Sequence, residues 1–346
     1  MVARFTNALL DAENGVALTQ TLFAFIGDST MAGTRGAGDL KTNSYPWKVL
    51  PLISPYMAID ENGWYGNQIS TSTVSDLPAY DPRLTLGAGL GFGGDFSVGG
   101  YPVSLDAATG ALTFTNTKPY DKLDLILSSG GTASTVGVQF GSGSVNNVVL
   151  TPSNITLSTL TKALGTETVT ITKVAGAPRV QGMTLRNSTV PKVMLANMAK
   201  AGSSSVDWAA TTNSRSPLAT LQAIKPVAAF VNLGINDWSL GVPVATFRAN
   251  MQAIITGLQP NTDVILGIPF PSNLASYPTQ GQYVQVIRDL ALANNLPLID
   301  FARLFVSWEV GNPLGRYIDN RHPTPQRGYG MTAKFVARSL RALLAL

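Results

Sequence analysis

The chain has 346 residues, of which 45% are hydrophobic and only 13% charged, with 33 glycines and 21 prolines. That length suits one large or two medium domains, and the low charge and high turn content argue against a helical bundle or a disordered chain. A formal charge of +4 without a Lys/Arg run gives no sign of a nucleic-acid partner, and the absence of cysteine excludes disulfides, thiol nucleophiles and Cys-ligated zinc.

In chain order, the first apolar stretch is interrupted by Asp11 and Glu13 too soon for a secretory h-region. No window approaches a membrane-spanning length. The expectation is a soluble protein with no export signal and no membrane span. The run Leu22 to Ile26 reads as a buried strand, broken at Gly27-Asp28-Ser29-Thr30, and a helix is expected around Pro46 to Ile53.

From 63 to 188 the pattern changes. Leu112 and Phe114 alternate with Thr113 and Thr115, Leu123, Leu125 and Leu127 with Asp124 and Ile126, and Val169 and Ile171 with threonines. Short period-2 runs separated by Gly, Asn, Ser and Pro turns predict a β-sandwich of jelly-roll type. The glycine-rich stretch Gly87 to Gly94 lacks the Lys-Ser/Thr of a P-loop and reads as a β-region loop.

Beyond Pro191 strands alternate with helices. Val193–Met198, Val227–Leu233, Val264–Ile268 and Leu296–Phe301 read as strands. Phe247, Met251, Ile254, Ile255 and Leu258 share one helical face, as do Tyr283, Val286, Ile287, Leu290 and Ala291. A last helix after Tyr329 should turn Phe335, Val336, Leu340, Leu343 and Leu344 inward. This alternation predicts a parallel, helix-covered sheet whose opening strand is Leu22–Ile26. The domains expected are a discontinuous α/β unit over 1–62 and 189–346, and a β-sandwich inserted at 63–188.

Ligands of open parallel sheets bind beyond the carboxyl ends of the strands. Three segments follow such strands: Gly27-Asp28-Ser29-Thr30, the stretch Ala199 to Ser204 with Gly202, and Gly234-Ile235-Asn236-Asp237. A fourth, Asp319-Asn320-Arg321-His322, precedes the last helix and holds the only histidine of the chain. Imidazole is the usual proton carrier near neutral pH. Acyl transfer needs a nucleophile, a base, an orienter for the base, and donors aimed at the oxyanion. Ser29, His322, Asp319 and the pair Gly202/Asn236 would supply those parts. With one histidine and no cysteine a zinc site is not expected, nor is any cofactor, while an oxygen-ligand site for a cation such as calcium stays open.

At these residues the chain resembles the SGNH (GDSL) hydrolases, named for a serine, glycine, asparagine and histidine in four sequence blocks. Gly27-Asp28-Ser29 is similar to the first block, Gly202 to the glycine of the second, Gly234-Ile235-Asn236-Asp237 to the third and Asp319 to His322 to the fourth. The second block, Asn197-Met198-Ala199-Lys200-Ala201-Gly202, matches more loosely, and more than a hundred residues separate it from the first. The resemblance covers about 20–60 and 190–346. It implies a flavodoxin-like three-layer α/β core with Ser29 as nucleophile, His322 as base and Asp319 as its orienter. Ser29 N–H, Gly202 N–H and Asn236 Nδ2 would form the oxyanion hole. Asp28, Asp237 and Trp238 are the candidates for lining the substrate site, local hydrogen bonding being the plainer role for Asp237. Among Trp47, Trp64, Trp208, Trp238 and Trp308, Trp238 directly follows the Asn236 loop.

The function expected is a serine esterase releasing O-acetyl groups from a poly- or oligosaccharide. The inserted sandwich resembles carbohydrate-binding jelly rolls attached to SGNH deacetylases, including those of bacteriophage tail proteins. That resemblance implies an extracellular or virion-associated location, with homo-oligomer or tail assembly as partners. Two alternatives stay open: a lipase or thioesterase acting on longer acyl chains, and a non-catalytic glycan-binding tail protein.

Overall fold

The computed structural model describes residues 2–33, 43–66, 74–94, 96–274 and 279–344. After a helix over Ala3–Glu13, strand β1 (Leu22–Gly27) is apolar along its whole length and buried at every position. Phe23 and Phe25 enter one hydrophobic cluster, whereas Leu22, Ala24 and Ile26 enter another on the opposite face. A strand buried on both faces belongs inside a helix-covered parallel sheet, and that is where β1 lies.

The helix Tyr45–Ile53 leads to a short β2 (Ile59–Asp60). Eleven strands then occupy the middle of the chain: β3 (Gly63–Tyr65), β4 (Leu84–Leu86), β5 (Leu90–Phe92), β6 (Val103–Leu105), β7 (Ala111–Phe114), β8 (Tyr120–Ser129), β9 (Ser134–Phe140), β10 (Val145–Leu150), β11 (Ile155–Gly165), β12 (Val169–Ala175) and β13 (Pro178–Arg186). Four more return to the first sheet: β14 (Val193–Asn197), β15 (Ala228–Asn232), β16 (Asp263–Ile268) and β17 (Leu298–Asp300).

The parallel sheet has six strands in the order β17-β16-β15-β1-β14-β2. Leaving aside the two-residue edge β2, the order is that of a flavodoxin-like sheet, with the switch point at β1. One face is covered by Ala3–Glu13, Tyr45–Ile53 and the last helix, Gly328–Leu344. The other carries Pro217–Ile224, Val244–Leu258 and Gln280–Ala293. Aromatic side chains dominate the first face: Phe25, Phe230, Phe270 and Phe301 all pack around Tyr45. Each such fully buried ring contributes roughly 2–3 kcal/mol by area.

The middle strands form two antiparallel sheets, β10-β9-β12-β7-β4 and β11-β8-β13-β6-β5, with β3 added to β13. Leu123, Leu125 and Leu127 from β8 meet Val136, Val138, Val169 and Ile171 from the facing sheet in a third core. The architecture is thus an α/β core with a parallel sheet and an inserted β-sandwich, as the alternation patterns predict. The sandwich is not an isolated module. Ile126, on the outer face of β8, and Tyr65 belong to the hydrophobic cluster of the α/β core. Arg215 Nη1 donates to Ser129 O at 2.8 Å, and Gly99 N–H to Met198 O at 2.8 Å.

Several expectations need correction. The helix Ala3–Glu13, not among the expected elements, buries Phe5, Ala8, Leu9 and Ala12 along one stripe. The expected strand Leu296–Phe301 shrinks to Leu298–Asp300 at the sheet edge. In the last helix Val336, Leu340 and Leu344 are buried, but Leu343 is 36% exposed and Phe335 only partly covered. Leu343 falls off the stripe that faces the sheet. Among the described residues no helix is long and apolar enough to cross a membrane.

Candidate active site

Four loops converge at the carboxyl end of the parallel sheet. The first begins where β1 stops at Gly27. Asp28 is extended and caps a single helical turn, Ser29–Ala32, its Oδ1 accepting from Thr30 N–H at 2.9 Å and Thr30 Oγ1 at 2.8 Å. Such a cap satisfies donors that the turn leaves orphaned. Ser29 therefore sits at the first position of a sharp strand-to-helix turn, only 7% exposed.

The second loop follows β14. Lys200 N–H and Ser203 Oγ both donate to Gly27 O, at 3.0 and 3.1 Å, so the loop is stitched to the end of β1. Trp208 Nε1 donates to Ser203 Oγ at 3.0 Å. Between these ties Gly202 is exposed at φ +78°, a backbone conformation costly for any residue with a Cβ. The third loop follows β15. Gly234, at φ +120°, precedes the short helix Ile235–Ser239. Asn236 Nδ2 donates to Ser203 O at 2.9 Å, tying the third loop to the second.

The fourth loop is fixed from several sides. Asp319 Oδ1 accepts from Arg321 N–H at 2.9 Å and His322 N–H at 2.8 Å, and Ile318 N–H donates back to His322 O at 2.9 Å. Trp308 Nε1 donates to Asp319 O at 3.0 Å, and Asn273 N–H to Asn320 O at 2.9 Å. Against this frame Asp319 Oδ2 lies 2.7 Å from His322 Nδ1, and His322 Nε2 lies 2.9 Å from Ser29 Oγ. Both contacts are satisfied by one tautomer: the imidazole proton sits on Nδ1 and donates to Asp319, while bare Nε2 accepts from the serine hydroxyl. His322 is 6% exposed, so this chain of bonds is largely shielded from water.

Electrostatics separate the carboxylates. Partial burial alone would push the Asp319 carboxyl up, but the bonds from the His322 ring and from the backbone of His322 and Arg321 outweigh it. The carboxyl is held well below the usual carboxylate range. Asp28 is the opposite case: burial pushes it up to about 6, and the Thr30 bonds only partly offset that. Burial also raises Asp237, against bonds from Ser205.

The structure thus brings Ser29, His322 and Asp319 into one hydrogen-bonded line, with Gly202 and Asn236 on the two loops beside it. The other three sequence candidates are buried in the fold. Asp28 is 1% exposed and used as a cap, and Asp237 is fully buried with both oxygens on Ser205 N–H at 3.0 Å. Trp238 is 4% exposed within the core cluster of the α/β unit. These contacts give each of the three a part in holding the fold. The tryptophan that does touch the site is Trp308, through the Asp319 carbonyl, and no sequence spacing marked it. Ser203 was likewise passed over, although it adjoins Gly202. Among the described residues no group of three His, Cys, Asp or Glu side chains could hold a metal ion.

A serine–histidine–aspartate line at the switch point of a flavodoxin-like sheet is the arrangement by which serine hydrolases activate their nucleophile. Residues 172–329 match the model of the GDSL-like Lipase/Acylhydrolase family, a stretch that takes in Gly202, Asn236, Asp319 and His322 and leaves Ser29 outside. No curated protein matches the chain. Among solved structures, a Bacillus subtilis protein is 15% identical over 82% of this chain and 99% of its own, with a TM-score of 0.40. A lipase/acylhydrolase from Enterococcus faecalis is 24% identical over 44% of this chain and 77% of its own, at 0.37. A family two carbohydrate esterase from Cellvibrio japonicus is 12% identical over 77% of this chain and 96% of its own, at 0.34.

Proposed function

We propose that the chain is a serine esterase that removes O-acetyl groups from a carbohydrate through an acyl-enzyme. The observation that carries the esterase reading is the unbroken line from Ser29 Oγ through His322 to Asp319. His322 Nε2 takes the serine proton as Oγ attacks the ester carbonyl. Asp319, held ionised, stabilises the imidazolium that forms. The N–H groups of Ser29 and Gly202 and the Asn236 amide receive the oxyanion. His322 then returns the proton to the departing sugar oxygen, and a water activated by the same nitrogen releases acetate.

The carbohydrate reading is supported by the sandwich, which we take as the unit over 63–188, and by where it touches the core. Its segment from Phe96 to Tyr101 lies against the Gly202 loop and places two aromatic rings there, surfaces suited to sugar faces. An extracellular or virion-associated place of action goes with such a substrate and rests on the sequence resemblance alone.

The test is acetate release from a panel of acetylated polysaccharides, comparing wild type with Ser29→Ala. Release by wild type and its loss in the variant are expected. Undiminished hydrolysis by Ser29→Ala sinks the serine mechanism. A series of chromogenic esters decides the acyl group: a maximum at octanoyl or longer favours a lipase and overturns the deacetylase.

A further inference from the structure

The acids and bases at the mouth of this site are not balanced. The described carboxylates of the four site loops and of the short helices behind them are engaged inward or locally: Asp28 on Thr30, Asp237 on Ser205, Asp319 on His322, and Asp207 on Ser204 at 2.8 Å. Two cations of the same loops have no such use. Lys200 stands two residues before Gly202, its N–H on Gly27 O and its carbonyl accepting from Ser203 Oγ at 2.8 Å. Its ammonium lies 5.2 Å from the ring centroids of both Phe96 and Tyr101. Arg321 directly precedes His322, and its Nη1 donates to Ser239 Oγ at 3.2 Å, at the end of the short helix that carries Asn236. Among the described residues neither cation has a carboxylate within ion-pair distance. Elsewhere arginines do find one: Arg83 pairs with Glu61 and Asp81, Arg186 with Asp124, Arg248 with Asp289 and Arg288 with Asp300.

We propose that the ester accepted at this site belongs to an acidic glycan, whose carboxylate near the scissile bond is read by Lys200 on the second loop and Arg321 on the fourth. The inference rests on the esterase reading above and narrows its substrate. The physical reason is the environment of Lys200. Aromatic faces attract an ammonium without neutralising it. Half-buried as it is, the group has given up part of its hydration, and burial lowers its pKa, with Asp207 opposing from a distance. A partly desolvated cation gains more from an incoming anion than a fully solvated one, because the interaction runs through a lower effective dielectric. Phe96 is held in turn by Trp208, with ring centroids 5.6 Å apart, and Ser97 by Gln181 at 2.9 Å. The sandwich thereby fixes the cage around Lys200, which gives the insert a part in choosing the substrate.

The experiment measures acetate release from chemically acetylated polygalacturonate and from a neutral β-mannan acetylated to the same degree, with p-nitrophenyl acetate as a third substrate. For wild type at low salt, kcat/KM is expected to favour the acidic polymer by about tenfold or more, the equivalent of one strong charge contact. Ionic strength near 0.5 M should erode that preference, because the screening length falls to a few ångströms, on the order of 4 Å. Lys200→Gln and Arg321→Gln should each cut the acidic-to-neutral ratio severalfold, and Lys200→Arg should restore most of it. Equal rates on the two polymers, or a ratio unmoved by both glutamine variants, overturns the inference while leaving the esterase intact. Failure of wild type on p-nitrophenyl acetate as well overturns the esterase reading and this one with it. Should Lys200→Gln not fold, Lys200→Arg and Arg321→Gln still decide the question.

Discussion

The two halves of this molecule bury their strands in different ways. In the parallel sheet β1, β14, β15 and β16 are covered at every position, whereas β11 of the sandwich alternates between half-buried and exposed along its length. A strand covered on both faces has no free side for function. All its chemistry must leave by the loop at its end, and Ser29, Gly202 and Asn236 sit on three such loops. The sandwich keeps one face toward its own core and has the other available for neighbours, which is how Ile126 of β8 comes to pack on the α/β core. Rigidity at the site and adaptability beside it are therefore divided between two kinds of sheet.

That division can be broken at either side. Asp319→Asn should leave the fold intact, yet lower kcat/KM on a small ester by roughly a thousandfold to ten-thousandfold, because the imidazole loses its orienting acceptor. The check is steady-state kinetics beside a thermal melt, and a loss below about tenfold would mean that His322 is held without Asp319. Leu125→Ala, in the sandwich core, should do the reverse. It should cost about 2–4 kcal/mol of stability while kcat on the small ester is kept at temperatures below the melt. An equally large fall in kcat would show that the two halves are mechanically one.

A pH experiment sharpens the contrast within the site itself. The folded Asp28 carboxyl titrates at about 6, above its unfolded value. Its favourable contribution is therefore fully present below about pH 4 and lost as pH rises through about 6. Asp28→Asn keeps an acceptor for Thr30 N–H but cannot ionise. Relative to wild type, the variant should gain stability between about pH 4 and 7, by up to about 3 kcal/mol. Denaturant melts at the two pH values measure this, and a constant difference would contradict it. Asp319 has the opposite sign: its contribution is present above the ordinary carboxylate range and is lost in acid. The smallest effect is expected from Trp308→Phe, which keeps a ring but removes the N–H on Asp319 O. A fall of about threefold to tenfold in kcat with KM and melting temperature little changed is the expected outcome, in line with one neutral hydrogen bond.

Much of this was legible because the pattern and the physics coincide. Continuous apolar runs such as Leu22–Ile26 can be buried only within a covered sheet, and the helical stripe from Phe247 to Leu258 has one face to hide. The proposed nucleophile, base and orienter, Ser29, His322 and Asp319, were readable because each follows or precedes such an element. What escaped has physical reasons too. One-turn helices such as Ser205–Ala209 and Ala302–Phe305 are too short to show a period. The stripe Phe5, Ala8, Leu9, Ala12 was there to be read. A carboxylate in a motif does not announce its direction: Asp28 and Asp237 stand beside the right residues and point inward. Trp308 reaches the site through a backbone carbonyl, and a contact to backbone leaves no trace in the identity of its partner.

Ser29 and His322 are 293 positions apart in the chain, with the whole sandwich between them. Their contact closes nearly the entire polypeptide into one loop, so it can form only after the segment bearing β17 and the last helix has docked on a sheet begun near residue 22. On the proposed esterase function, hydrolysis is an indicator of assembly: in a refolding reaction it should appear with the slowest phase, after the burial that tryptophan fluorescence reports.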